Sequence, residues 1–317
     1  MASRALGFST LFIASFVGTQ LHAQTASTGI AADRMRVGIG IASLGQTEGA
    51  ETTARGEVSM LLGLGYLRDP ITLRTIGGGA IVSHPVRQQL VGTLGWEIGL
   101  ARRFALRVSL PVALWNDGDR LRGTGVEASG NDPGPTLHAA AGDLALGLKV
   151  AVVGAPGEPG VHAALAIGVT APMGGDNQFA ATGGPTIAPR VLIDYRLPYL
   201  TIVLDVQAHF ARERTLFGAH FNDELVLSGG AIARILSFNA ARWHLSGYVE
   251  GSGVIAADSA ARPGELRAAL RVQRGDEVSV DLGGGAGLVD AVGSPRFRLF
   301  AVVRMSLHAL DLARRSH

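Results

Sequence analysis

Cysteine is absent from the 317 residues, which excludes disulfides, thiol catalysis and Cys-type zinc sites. Lysine occurs once, at Lys149, so arginine carries nearly all the positive charge. With a formal charge of +2 and no basic cluster interleaved with aromatics, nothing points to a nucleic-acid partner. Aromatics are scarce at 6% of the chain. Past residue 23 there is no apolar run approaching the roughly 20 residues that a spanning helix needs, so no helical membrane anchor is expected.

Glycine and apolar residues are plentiful, at 44 glycines and 47% apolar. A disordered chain does not carry that much apolar surface. The glycines sit at alternating positions inside apolar runs, as around Gly95 and Gly99 and from Gly283 to Gly287, which suits strands that bend around a wall.

The clearest pattern runs from Gly142 to Thr170. Leu144, Leu146, Leu148, Val150 and Val152 alternate with Asp143, Ala145, Gly147, Lys149 and Ala151. After a Pro/Gly turn at 154–160, Ala163, Leu165, Ile167 and Val169 alternate with His162, Ala164, Ala166 and Gly168. This is a hairpin of period two, with one uniformly apolar face and one of charged and tiny residues. Runs of about ten such residues span a bilayer when tilted.

Residues 1–23, with Arg4, an apolar core from Leu6 to Val17 and a small residue at Ala23, read as a secretory signal peptide. Residues 24–56 read as a periplasmic N-terminal leader whose short apolar stretch, Val37, Ile39 and Ile41, has no assigned role. Twelve amphipathic strands follow, at 57–67, 88–100, 104–115, 142–153, 161–171, 187–195, 199–211, 224–236, 243–252, 265–272, 278–287 and 296–307. Their connections alternate between long (68–87, 116–141, 172–186, 212–223, 253–264, 288–295) and short. Outer-membrane barrels have short periplasmic turns and longer outer loops, whereas a soluble sandwich has no reason to sort loop lengths. Aromatics fall at both strand ends, with Phe104, Tyr195, Tyr199 and Trp243 at the short turns and Tyr66, Trp115, Phe210 and Phe297 at the long loops. The expected fold is all-β, an antiparallel up-and-down transmembrane barrel of about twelve strands over 57–307, with a short C-terminal tail at 308–317.

The stretches 65–74, 99–115, 142–150, 183–197, 248–253 and 283–305 resemble the β-barrel modules of OmpA-like outer-membrane proteins and related putative transporters of myxobacteria and similar Gram-negative bacteria. The resemblance implies location in the outer membrane of a Gram-negative bacterium. Outer-membrane lipid and the barrel-assembly machinery are then the implied partners. Many such relatives continue into a peptidoglycan-binding domain; this sequence has none after its last strand, so cell-wall anchoring is not expected.

Residues on the face away from lipid should be polar, because Arg at bilayer mid-depth costs roughly 2 to 4 kcal/mol. The lumen-lining set is Glu97, Arg107, Lys149, Arg190, Asp194, Asp205, His209, Glu250, Arg267, Arg271, Asp281, Arg298 and Arg304. These residues either line a water-filled pore or pair across a packed interior, and about twelve strands lies between those two cases. Arg267, Arg271, Arg298 and Arg304 cluster on one wall where Asp281 pairs with at most one or two of them, so an open pore would prefer anions. The expected function is a passive pore or transporter for small polar solutes, anions among them; the alternative is a non-conducting structural or surface-interaction barrel.

Catalysis is not expected. Asp205 and His209 share one strand face and His244, Ser246 and Glu250 another, but alternation places such residues together automatically, and Ser246 is not in a nucleophile turn. No cofactor is implied. Loop acids Asp117, Asp119, Asp132 and Asp176 lack EF-hand spacing, so no metal site is expected either.

Overall fold

The period-two runs become strands because each buries small and polar residues on one side and leaves apolar ones on the other. The computed structural model describes residues 30–74, 81–119, 139–174, 179–216, 219–239, 242–256 and 262–308. The expected signal peptide, Asp132, Asp176 and nearly all of the tail lie outside the described residues.

The strands are β1 (Glu57–Arg74), β2 (Ile81–Ala101), β3 (Phe104–Asp117), β4 (Ala140–Ala141), β5 (Asp143–Val153), β6 (Gly160–Pro172), β7 (Thr186–Arg196), β8 (Leu200–Ala211), β9 (Arg214–Leu216), β10 (Ala219–Phe221), β11 (Glu224–Phe238), β12 (Trp243–Ala256), β13 (Gly264–Arg274), β14 (Val278–Gly287) and β15 (Phe297–His308). Among the described residues twelve long antiparallel strands close a barrel; β4 is a two-residue addition to β3, and β9 with β10 forms a separate small hairpin. Closure is made by β1, which pairs with β2 on one side and with β15 on the other, from Glu57↔His308 to Arg68↔Phe297.

The first connection differs from expectation. Residues 68–87 were expected as a loop, yet β1 continues to Arg74 and β2 begins at Ile81. Register shifts after Arg68 and after Ile71, with Asp69 at φ 50°, absorb Pro70 and let the ladder resume at Ile71↔Val86. Pro111 marks another irregularity. Lacking an N–H, it sits where β3 stops pairing with β5 at Ser109↔Ala145 and pairs instead with β4 from Val112↔Ala141.

Leu146 and Leu204 on the outer face are each 45% exposed, whereas Lys149 and Asp205 on the inner face are 0% and 2% exposed. Exposed Phe104, Tyr195 and Tyr199 mark the short-turn end, and exposed Trp115, Phe210 and Phe297 the long-loop end. Such an apolar outer wall is compatible with lipid and not with water.

The largest departure concerns residues 30–56. They were expected as a periplasmic leader, but they run inside the barrel. At the long-loop end Ala32 N–H donates to Phe179 O (2.9 Å), and at the short-turn end Gly56 N–H donates to Gly99 O (3.0 Å) before β1 begins. Between these points a tight turn, Gly38 N–H to Gly45 O at 3.0 Å, sits mid-lumen. Ile39 and Leu44 are buried against Leu61, Val203, Tyr248, Phe300 and Val302, and Val37 packs at the edge of the same cluster. The apolar stretch without a role is therefore half of an apolar seat.

Candidate functional site

Twelve strands surround more space than their own small inner side chains fill, and the segment 30–56 occupies it. A segment that is neither helix nor strand has main-chain groups that must find partners once buried. The wall supplies them with charged side chains. Arg271 donates to Ile41 O (2.9 Å) and Ser43 O, and Arg304 to Gly38 O (2.9 Å) and Leu44 O. Lys149 donates to Gly49 O (2.7 Å) and Glu51 O. In the other direction Glu250 accepts from Gln46 N–H (2.9 Å) and Thr47 N–H (3.0 Å), Asp194 from Ala50 N–H (2.9 Å) and Glu97 from Thr53 N–H (2.9 Å).

One plug side chain stands out. The carboxylate of Glu48, fully buried, meets Arg107 Nη1 at 2.5 Å, Arg190 Nη1 at 2.9 Å and Lys149 Nζ at 3.1 Å. Arg107 also lies 3.3 Å from Glu97, and Arg190 pairs with Asp205. Among the described residues Glu48 is the carboxylate that Lys149 meets. Nearer the long-loop end Asp33 meets Arg298 at 2.9 Å, Arg36 meets Asp143 at 3.0 Å, and Arg34 pairs with Glu224.

All thirteen lumen candidates project inward. Twelve are engaged by the plug or by one another; His209 lines the vestibule at the long-loop mouth. The basic wall does not carry the surplus charge expected of it. Asp281 takes Arg271 (2.7 Å) and Arg304 (2.7 Å), while Glu265 takes Arg298 (2.7 Å) and approaches Arg267 (3.5 Å), which Glu250 also meets at 2.9 Å. With every one of these guanidinium groups paired, the basis for an anion preference is gone. Tyr248 completes this region with its ring 5.5 Å from the Arg271 guanidinium.

Sequence reasoning missed Glu48, Asp33 and the seat for Ile39 and Leu44. The signal was not in the charges, because the inward acids Asp143, Glu224 and Glu265 leave the wall with no shortage of carboxylates. Leu61, Val203, Phe300 and Val302, however, stand at inward parity among polar neighbours, which marks an apolar seat. Of the residues weighed for catalysis, Asp205 and Glu250 are occupied by Arg190 and by the plug, and His244 Nδ1 lies 2.9 Å from Ser237 Oγ at the barrel's exposed edge.

The plug leaves cavities beside it. A vestibule of about 110 Å³ opens at the long-loop end, and a side cavity of about 80 Å³ lies against the small residues Ala145, Gly147, Ala166, Gly168 and Ala188. Both are walled by Arg36, Gln207 and His209. A third space of about 20 Å³, lined by Ala50, Glu51 and His162, lies at the short-turn end. The Glu48 cluster stands between the second and the third.

A closed antiparallel barrel with a lipid-compatible wall and a polar, plugged lumen defines an outer-membrane β-barrel protein, located in the outer membrane. Among solved structures the chain is similar to an outer membrane channel from Pseudomonas putida F1, with 13% identity, a TM-score of 0.56, and coverage of 81% of this chain and 98% of that one. It is also similar to the NanC porin (8% identity, TM-score 0.46, 79% and 98% covered) and to the KdgM porin (9%, 0.46, 78% and 99%). No family model matches the sequence. No curated protein matches it either.

Proposed function

We propose that the protein is an outer-membrane channel for small polar solutes whose lumen is closed by its own residues 30–56. The observation that carries this reading is the set of cavities beside the plug, which reach from the long-loop mouth to the Glu48 cluster and resume beyond it. The plug is held by ion pairs and main-chain bonds along its length and by one small apolar seat, a hold that water can replace more readily than a continuous apolar core. The likeness of the wall to OmpA-like barrel modules is in keeping with the same reading. We assign no catalytic role, because the acids of the lumen are committed to ion pairs and main-chain bonds.

A second reading has an observation of its own. Arg267, Arg271, Arg298 and Arg304 are each at most 2% exposed. A lumen this tightly paired also fits a non-conducting barrel whose loops do the work. Single-channel recording in planar bilayers separates the two. The channel reading expects rare openings from the parent protein and frequent ones once the plug is cut from β1; silence in both forms, with the fold intact, supports the non-conducting barrel.

A further inference from the structure

The contacts between wall and plug have a chemical character that names a ligand class. Six charged wall residues, Arg271, Arg304, Lys149, Glu250, Asp194 and Glu97, bind the plug through its main-chain carbonyl and amide groups. Main-chain groups are common to every polypeptide, so this recognition does not depend on sequence. The wall also reads side chains. Ile39 and Leu44 enter the apolar seat, Glu48 enters the pocket of Arg107, Lys149 and Arg190, and Gln46, Glu51 and Thr53 meet Arg267, Arg196 and Glu97. Gly45 is required by close approach, since a Cβ there would lie 2.3 Å from Glu250 Oε1. Much of the rest of the segment is small or polar.

We propose that the lumen is a binding tunnel for peptides that carry an acidic residue shortly after a tight turn, and that residues 30–56 occupy it as a ligand in cis. Arg271 and Arg304 bind carbonyls of the turn at 38–45, Glu250 the amides that follow it, and Lys149, Asp194 and Glu97 the groups from Gly49 to Thr53. The three-cation pocket selects an acidic side chain, because those cations are costly to leave buried without a counter-charge. This rests on the channel reading only for the passage of the peptide; binding itself stands apart from conduction.

The test uses the full chain folded in detergent, with a site-specific protease sequence inserted after the exposed Arg55, so that the plug is cut free only once the barrel has formed. Fluorescein-labelled peptide 36–55 is then added and its uptake followed by anisotropy. Three companions are compared: a peptide with alanine everywhere except Gly38, Ile39, Leu44, Gly45 and Glu48, since a Cβ at Gly38 would lie 2.6 Å from that of residue 43, one N-methylated at Gln46, Thr47, Ala50 and Thr53, and one carrying Glu48→Gln. The alanine peptide should bind within about tenfold of the native one, and backbone methylation should weaken binding about a hundredfold or more, because it deletes the donors to buried carboxylates. Glu48→Gln should cost about tenfold or more. Failure of every peptide to exchange, or loss of binding by the alanine peptide while the methylated one still binds, would overturn the proposal. A cut barrel that conducts but takes no peptide leaves the channel reading standing and removes this one. A cut barrel that takes peptide and stays silent does the reverse.

Discussion

Glu48→Gln tests the plug at its tightest point. The carboxylate is fully buried and meets three cations within 3.1 Å. Removing one partner of a buried ion pair costs about 3 to 5 kcal/mol, much of it the penalty of the charge left behind. Arg107 keeps Glu97 and Arg190 keeps Asp205, so the main casualty is Lys149, which retains only the carbonyls of Gly49 and Glu51. The lower end, about 3 kcal/mol, is therefore the appropriate figure. Water entering the lumen would rehydrate Lys149 once the plug leaves, so the whole cost falls on the closed state. At about 1.4 kcal/mol per tenfold, the open population should rise roughly 100-fold. The absence of native cysteine makes the assay direct. Ala50 is 1% exposed, and Ala50→Cys supplies a unique thiol that maleimide reaches only when the plug opens. Labelling should accelerate roughly 100-fold in Glu48→Gln, and Glu48→Gln with Lys149→Met should return toward the parent rate because the stranded charge is gone. An unchanged rate in Glu48→Gln, with heat-modifiable migration retained, would show that the cation trio does not hold the plug.

The wall makes its own prediction: Leu146→Arg or Leu204→Arg puts charge against lipid at about 2 to 4 kcal/mol and should abolish heat-modifiable migration and recovery with outer membranes, while Gln207→Ser, in the lumen, should leave both intact. Equal damage from both kinds of change would mean that the apolar face does not meet lipid. For sidedness, an epitope at Gly183 in the long connection after β6 should be reached by antibody on intact cells, and one at Gly157 in the short turn before β6 should be reached only after the membrane is opened; the opposite pattern reverses the topology. Gly45→Val should mimic Glu48→Gln by a steric route, displacing the Glu250 carboxylate that binds Gln46 and Thr47, and thus speed labelling at Ala50→Cys without changing barrel yield. Loss of the barrel itself in Gly45→Val would instead make the plug part of the folding core.

The location of the wall was legible because strand alternation is local. One residue up and the next down is a property of the backbone, so Leu146 and Lys149 took their sides without knowledge of any partner. Loop sorting set strand number and pairing in the same way, since adjacent strands in a meander are neighbours in sequence. The exceptions were places where a local signal was read too literally. Residues 68–87 were read as a loop, but bulges carried the β1–β2 ladder past Pro70. The plug was of another kind. Residues 30–56 have no sustained period, and each of their contacts depends on barrel closure. Glu48 is about a hundred residues from Lys149, and Ser43 and Leu44 are more than two hundred from Arg271 and Arg304. Arg304 faces Gly38 and Leu44 only because β15 folds back on β1, and that same closure brings Leu61 and Phe300 into one seat. The sequence by itself determined which side chains point inward and that cations and carboxylates both stand among them. Only the tertiary structure decided what neutralises them, because burial of a segment without period is settled by the cavity around it and not by any pattern along it.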